Sequence, residues 1–210
     1  MQLTNTQLDL IDRFLEQHQL DFLDFKLEVK DHLACETEQI MANENIGFEE
    51  AFVKASKNWE NELELKPFHA AFTKTMFPKL VVNSIKKTLF IQDLVISILA
   101  IIVTIVAKSY LESFFTKHFV FLKYSIAVFA IIYMLLRRTI LIKKLKTSFS
   151  YRFDYLFYPI LICLFYLFLF NQIHIDTFRY FIVFSILIQF PFSIFYFMKH
   201  QQFIKKHFLA

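Results

Sequence analysis

The 210-residue chain contains a single glycine and only four prolines, although it holds 29 phenylalanines and 9 tyrosines. Tight turns between short strands depend on glycine, asparagine and proline, so this composition disfavours a β-rich fold and favours a helical one. The sequence also lacks a phosphate-binding glycine loop and a nucleophile motif. We therefore predict that the protein is not an enzyme and needs no cofactor.

Cysteine is equally scarce, with Cys35 in the polar first half of the chain and Cys163 inside an apolar run. The two are badly placed to pair, and nothing indicates an oxidising compartment. The first residues, MQLTNTQLDLIDRF, do not show the basic region and apolar core of a signal peptide. We expect a chain without disulfides or a cleaved leader.

Acidic residues are concentrated at one end of the chain. Residues 1–80 hold 15 of the 19 acidic residues and 8 of the 23 basic ones, a net charge of −7. Residues 81–210 hold 4 acidic and 15 basic residues, a net charge of +11. Direct nucleic-acid binding needs clustered lysine and arginine facing phosphates, so we do not expect it of the acidic part.

The second half of the chain consists largely of four apolar runs, at 89–107, 119–136, 155–170 and 180–198. Each is close to the roughly 20 residues with which a helix crosses the hydrocarbon core of a bilayer. A helix also satisfies its own backbone hydrogen bonds there. We predict an all-α protein, with a small cytoplasmic three-helix domain followed by a four-helix transmembrane bundle over 89–210.

Basic residues flank the apolar runs unevenly. The segment between the second and third runs, RRTILIKKLKTSFSYR, carries six, whereas segments 108–118 and 171–179 carry two and one. Further lysines precede the first run and follow the last. The positive-inside rule therefore predicts that both termini and the middle segment are cytoplasmic.

Polar side chains inside the runs are functional candidates by default, and Asp93 and Gln189 are the two we single out. We expect Asp93 to meet Arg137 or Arg138 at the inner ends of the helices. The alternative function is a small transporter, channel or membrane-complex subunit, in which Asp93, Gln189 or His174 faces a water-filled cavity. We rank this second, because the runs contain no glycine and show no convincing repeat.

The domain predicted over residues 1–66 shows three helical patterns. The first begins near Thr4, where Gln7 completes a capping box, and the second extends from about Asp21 to Asn43. The third is FEEAFVKASKNWENEL. Gly47 lies between the second and third patterns, where a glycine C-cap or a tight turn belongs.

Residues 67–88 connect this domain to the first apolar run. They mix aromatic residues with lysines, which predicts an amphipathic helix on the inner leaflet, broken near Pro78. The alternative is a plain extension of the first span.

The stretch EVKDHLACETEQI, residues 28–40, places a histidine, a cysteine and several carboxylates on about three helical turns. His32 and Cys35 are three residues apart, but no CxxC or HxxxH pair elsewhere supplies further metal ligands. We expect neither a metal site nor a Cys–His nucleophile. We expect His32 to flank the apolar stripe and Asp31, Glu36 and Glu38 to face solvent. A docking face for another protein is the functional alternative.

The segments EVKDHLACETEQIM and NIGFEEAFVKA together resemble the HAAS-type signalling domain of bacterial membrane proteins, over about residues 5–60. Such domains are usually fused to a few membrane helices and are often encoded beside PadR-type transcription regulators. The resemblance implies roles in folding and docking for its family positions, which are Asp31, His32, Gly47, Glu50 and Ala51.

The charge pattern and this resemblance predict a non-enzymatic signalling or regulatory accessory protein of the bacterial inner membrane. Its helical domain would dock a cytoplasmic protein, for example a transcription regulator, through the helix that carries Asp31, His32 and Glu36. The sequence leaves the oligomeric state open, and a homo-oligomer is compatible with it.

Overall fold

The computed structural model is mostly helical and describes residues 2–70, 73–142, 145–156 and 176–208. One β-hairpin interrupts the helical pattern, so the predicted all-α class holds except for this element. The chain divides into two compact units. The first comprises Met1–Lys86 with Lys146–Ser148, and the second comprises Lys87–Leu145 with Phe149–Ala210.

The first unit begins with three helices, close to the predicted positions. Thr4 caps the first of them, because its hydroxyl accepts from the Gln7 amide while the Gln7 side chain accepts from the Thr4 amide. This capping box was predicted from the sequence. The helix bounds are Asn5–Gln17 for α1, Leu23–Glu44 for α2 and Phe48–Leu63 for α3.

Side chains at helical spacing form the core of this unit. Burying one large aliphatic side chain contributes about 1.5–3 kcal/mol, so a few such positions on each helix suffice to fix their packing. Each helix contributes apolar side chains to this core. The fully or nearly fully buried residues are Ile11, Leu15, Val29, Leu33, Ala51, Ala55 and Leu63.

The turn between α2 and α3 differs from the prediction for Gly47. The left-handed residue at the end of α2 is Asn45, with φ 55° and ψ 42°, a conformation that asparagine tolerates better than most residues. Gly47 is the N-cap of α3, with φ −73° and ψ 165°. A Cβ at Gly47 would meet no atom within 4 Å. Of the two alternatives predicted for Gly47, the glycine C-cap is therefore wrong, whereas the place in a short turn between the helices holds. The backbone does not require glycine at this position.

The connector is a two-stranded antiparallel hairpin, and the amphipathic helix predicted over 67–88 is wrong for its first part. The strands are Leu65–Ala70 (β1) and Thr73–Pro78 (β2). Proline is unfavourable inside a helix but is tolerated in edge strands, and both strands here are edges. The helix that follows begins only at Lys79, so the alternative of an extended first span holds from that residue onward.

Aromatic side chains connect the hairpin to the helices of the first unit. Phe68 is buried, and its ring centroid lies 6.3 Å from that of Phe77 on the opposite strand. Phe77 in turn lies 5.2 Å from Phe22, the residue that precedes α2. The Lys79 amide closes the base of the hairpin by donating to the Glu64 carbonyl at 2.9 Å.

The next helix, α4, spans Lys79–Ile142, a length of 64 residues. The backbone of segment 108–118, which connects the first two predicted spans, is also helical, and this segment contains neither glycine nor proline to interrupt a helix. Helix α5 occupies residues 148–156, and α6 spans Asp176–Phe208.

Contacts within the second unit require α4 to reverse its direction. The Tyr155 hydroxyl donates to Asp93 at 2.9 Å, and the Arg137 Nε donates to Asp154 at 2.7 Å. In a straight helix Asp93 and Arg137 would lie about 66 Å apart, yet they contact adjacent residues of α5. The chain must therefore fold back between them, as two separate spans would.

Within the described residues, three segments are long and apolar enough to cross a membrane, namely Lys79–Val106, Tyr124–Leu141 and Tyr180–Phe208. They overlap the first, second and fourth predicted spans. The third predicted span, 155–170, lies outside the described residues from position 157 onward. These three helices are what is expected of a membrane protein.

The reversal of α4 can be tested by the distance between two spin labels. Leu94 and Leu135 are 50% and 59% exposed, so labelled cysteines there would disturb little packing. In a background with Cys35 and Cys163 changed to serine, we expect a label distance below about 30 Å, because a straight helix would give about 62 Å. The distance is measured by pulsed electron–electron double resonance, and a value of about 62 Å would contradict the reversal of α4.

Candidate functional site

The helix α2 presents one continuous solvent-exposed stripe. Val29 and Leu33 lie on its opposite, buried side. Residues three or four positions apart lie on the same face of a helix, so the exposed side chains form one surface. We call this surface the α2 stripe, and its members are Glu28, Asp31, His32, Cys35 and Gln39.

Two predicted docking residues, Asp31 and His32, lie on the α2 stripe and are exposed. The His32 ring stacks on Trp59 of α3, with ring centroids 6.4 Å apart and an interplanar angle of 27°. Cys35, one turn further along, is a free and exposed thiol. Within the described ranges, no group of three or more His, Cys, Asp or Glu side chains is placed to hold a metal ion.

Glu36 connects α2 to α3 and faces solvent only in part. Its two carboxylate oxygens accept from the Asn58 side-chain Nδ2 at 2.6 Å and from the Trp59 indole N–H at 3.1 Å. Glu38 also has a structural partner, since it accepts from the Leu3 amide at 2.9 Å. Both side chains are partly exposed, so the prediction that they face solvent holds only in part. The residue in the sequence that indicates this contact is Trp59, because a partly buried indole N–H normally has an acceptor such as a carboxylate.

The remaining family positions do not form one site. Ala51 is fully buried in the core, whereas Gly47 and Glu50 are exposed. Glu50 lies 3.4 Å from the Lys54 ammonium in an i, i+4 pair. A hydrogen bond to Glu44 raises the pKa of Lys54 above its ordinary value. These positions thus contribute packing and surface charge near the start of α3.

A polar contact that the sequence did not reveal lies at the start of α2. The Asp24 carboxylate accepts from the Ser148 amide at 2.8 Å and also from the Ser148 hydroxyl. The Leu23 amide donates to the Lys146 carbonyl at 3.0 Å. Thr147 and Ser148 are almost completely buried. We call this contact the Asp24–Ser148 joint.

The joint is a capping interaction made across the chain. The first amides of a helix have no partner within the helix, and a carboxylate oxygen is among the best acceptors for them. Asp24 serves this role for α5, which begins at Ser148. Because the two residues are 124 positions apart in the sequence, no local pattern signals the contact.

The intramembrane candidates Asp93 and Gln189 line the same cavity of the second unit, which has a volume of about 280 Å³. Asp93 accepts from Tyr155, so the predicted contact with Arg137 or Arg138 is wrong. Arg137 pairs instead with Asp154, a carboxylate close to its own end of α4. The other lining residues are Ile96, Ser97, Tyr155, Leu156, Phe181, Ile182 and Ser185.

The Gln189 side-chain oxygen is buried and has no hydrogen-bond partner in the described part of the chain. His174, the third residue named for the transport alternative, lies outside that part. The other buried glutamine, Gln92, has a partner for its side-chain oxygen, because the Tyr196 hydroxyl donates to it at 2.7 Å. Gln189 therefore contributes an unsatisfied acceptor to the cavity that Asp93 also lines.

Comparison with protein-family models, curated proteins and solved structures gave no match to this chain. The likeness of residues 5–60 to HAAS-type domains stays a prediction.

The structural role of Glu36 can be separated from docking by a pair of matched substitutions. Glu36→Ala should lower the free energy of unfolding by about 2 kcal/mol, because it leaves the Trp59 indole without its acceptor. Asp31→Ala removes the same charge from the same helix and should change it by less than about 0.5 kcal/mol. Urea unfolding of the full chain, followed by the fluorescence of Trp59, its single tryptophan, measures both. Equal midpoints for the two variants would contradict the assignment.

Proposed function

We propose that the protein is a non-enzymatic regulatory accessory of a bacterial inner membrane, whose N-terminal domain docks a cytoplasmic protein. The observation that carries the proposal is the Asp24–Ser148 joint. Through it, the folded domain holds Lys146–Ser148, a short segment between the second and third predicted spans. A partner that binds the domain would therefore act on the chain between those spans.

The joint also supports the proposed topology. Residues in hydrogen-bond contact lie on the same side of a membrane, so the domain and segment 146–148 share a side. The basic residues around this segment favour the cytoplasmic side under the positive-inside rule. Together with four spans, this arrangement would place both termini in the cytoplasm.

The α2 stripe is the docking surface that we propose. Glu36 and Glu38 are used inside the domain, whereas Glu28, Asp31 and His32 remain exposed. Two carboxylates one turn apart favour a partner surface that carries lysine or arginine, since complementary charge gives specificity and speeds association. The likeness to HAAS-type domains supports a regulatory protein, such as a transcription regulator, as this partner.

The test is affinity purification of the tagged full-length protein from its own membranes, followed by quantitative mass spectrometry. The docking variant carries Glu28→Lys and Asp31→Lys. The control carries Asp9→Lys and Glu60→Lys, the same charge change at exposed positions of α1 and α3. We expect the docking variant to lose a cytoplasmic partner at least about tenfold, because like charges then oppose each other, while the control retains it.

Two results would contradict the proposal. One is a docking variant that retains the same cytoplasmic proteins as the unaltered chain. The other is an unaltered chain that captures only membrane proteins, if both variants capture the same membrane proteins in equal amounts. The second result would favour a membrane-complex subunit.

A further inference from the structure

The cavity of the second unit has the size of a site for a small organic molecule. Its volume of about 280 Å³ is at the lower end of the range for ligand pockets. A dehydrated metal ion needs oxygen ligands within about 2.6 Å on all sides, which suits a much smaller space. The volume therefore favours an organic ligand over a bare inorganic ion.

Two hydrogen-bond acceptors are available in this cavity, beside the donors of the Ser97 hydroxyl and of the Gln189 side-chain NH₂ group. The Tyr155 hydroxyl already donates to one oxygen of Asp93, and the Ser185 hydroxyl donates to the Phe181 carbonyl at 2.8 Å. Among the residues that the structure describes, Tyr155 donates to one oxygen of Asp93, and the buried Gln189 oxygen has no donor. A ligand that satisfies both must bring N–H or O–H groups.

The charge of the lining selects between such ligands. Asp93 is the one ionisable acid or base among the described lining residues apart from the Tyr155 phenol, so no lysine, arginine or histidine balances it there. An anionic ligand would meet a like charge. An ammonium group carries a positive charge and only donors, which complements the carboxylate and the Gln189 oxygen.

The cavity wall also has an apolar part. Ile96, Leu156, Phe181 and Ile182 contribute side chains to it. An apolar body of one aromatic ring would remove this surface from contact with water, which favours binding. We propose that the cavity binds a small organic primary amine, with its ammonium group at Asp93 and Gln189 and its apolar body on these four side chains.

This site is independent of the docking function, because it uses none of the residues of the α2 stripe or of the Asp24–Ser148 joint. The docking variant can therefore fail without affecting amine binding, and the reverse also holds. The two proposals are tested by separate variants of the same full-length chain.

The experiment measures binding of tritiated phenethylamine to the purified full-length protein in phosphatidylcholine nanodiscs at neutral pH. We expect saturable binding that Asp93→Asn weakens at least about tenfold, which corresponds to about 1.4 kcal/mol. Asp93→Glu keeps the charge and should stay within about threefold of the unaltered protein, a difference below 1 kcal/mol on the same scale. Unlabelled 2-phenylethanol, which keeps the body but lacks the charge, should compete at least about tenfold less well than unlabelled phenethylamine.

A matched control excludes a general effect of substitution in the helices. Ser125→Ala removes a hydroxyl of α4 that donates to the Phe121 carbonyl at 3.0 Å and does not line the cavity. It should leave binding unchanged. Each variant is compared by size-exclusion profile, so that a misfolded protein is recognised.

The same binding measurement in nanodiscs that contain phosphatidylethanolamine identifies the source of the amine. Displacement of the probe there would identify an amine lipid headgroup as the occupant, and retention would identify a free amine. The proposal is overturned if the unaltered protein shows no saturable binding up to millimolar probe. It is also overturned if Asp93→Asn binds as tightly, or if phenylethanol competes equally well.

Discussion

The Asp24 carboxylate makes the interaction on which the organisation of the first unit depends. It accepts from both the backbone amide and the hydroxyl of Ser148, a residue that is almost completely buried. A buried amide left without an acceptor costs about 1–3 kcal/mol, so this contact favours a structure in which the start of α2 and the start of α5 stay together. A domain that ended at the hairpin would have no such connection to the chain between the second and third predicted spans.

A related constraint shapes the second unit, where polar side chains in an apolar environment need partners. Arg137 pairs with Asp154, and Tyr155 donates to Asp93. These contacts bring two distant parts of α4 to the same short helix and so require its reversal. Gln189 is one of the exceptions within the described residues, since its buried oxygen has no hydrogen-bond partner there, and the Gln92 and Arg152 side chains each have one buried nitrogen in the same state. Gln189 differs from these two because it lines the cavity together with Asp93.

Local patterns predicted the local features of this protein. The Thr4–Gln7 capping box and the 3.6-residue periodicity gave α1, α2 and α3, and hydropathy gave the three apolar helices within the described residues. Features that depend on distant partners were missed. Glu36 was assigned to solvent because its partner Trp59 lies on another helix. The hairpin was read as a helix because strand pairing, and not composition, decides the conformation of a short mixed segment.

The most direct test of the account is hydrogen exchange at residues 146–148 of the full-length protein, because the proposed function rests on the Asp24–Ser148 joint. Asp24→Ala removes the acceptor, and Asp31→Ala removes an exposed carboxylate from the same helix as the control. The account predicts that amide exchange in this segment becomes at least about tenfold faster in Asp24→Ala alone, since local opening then costs less free energy. Equal protection of the segment in both variants would contradict a domain held to it by Asp24.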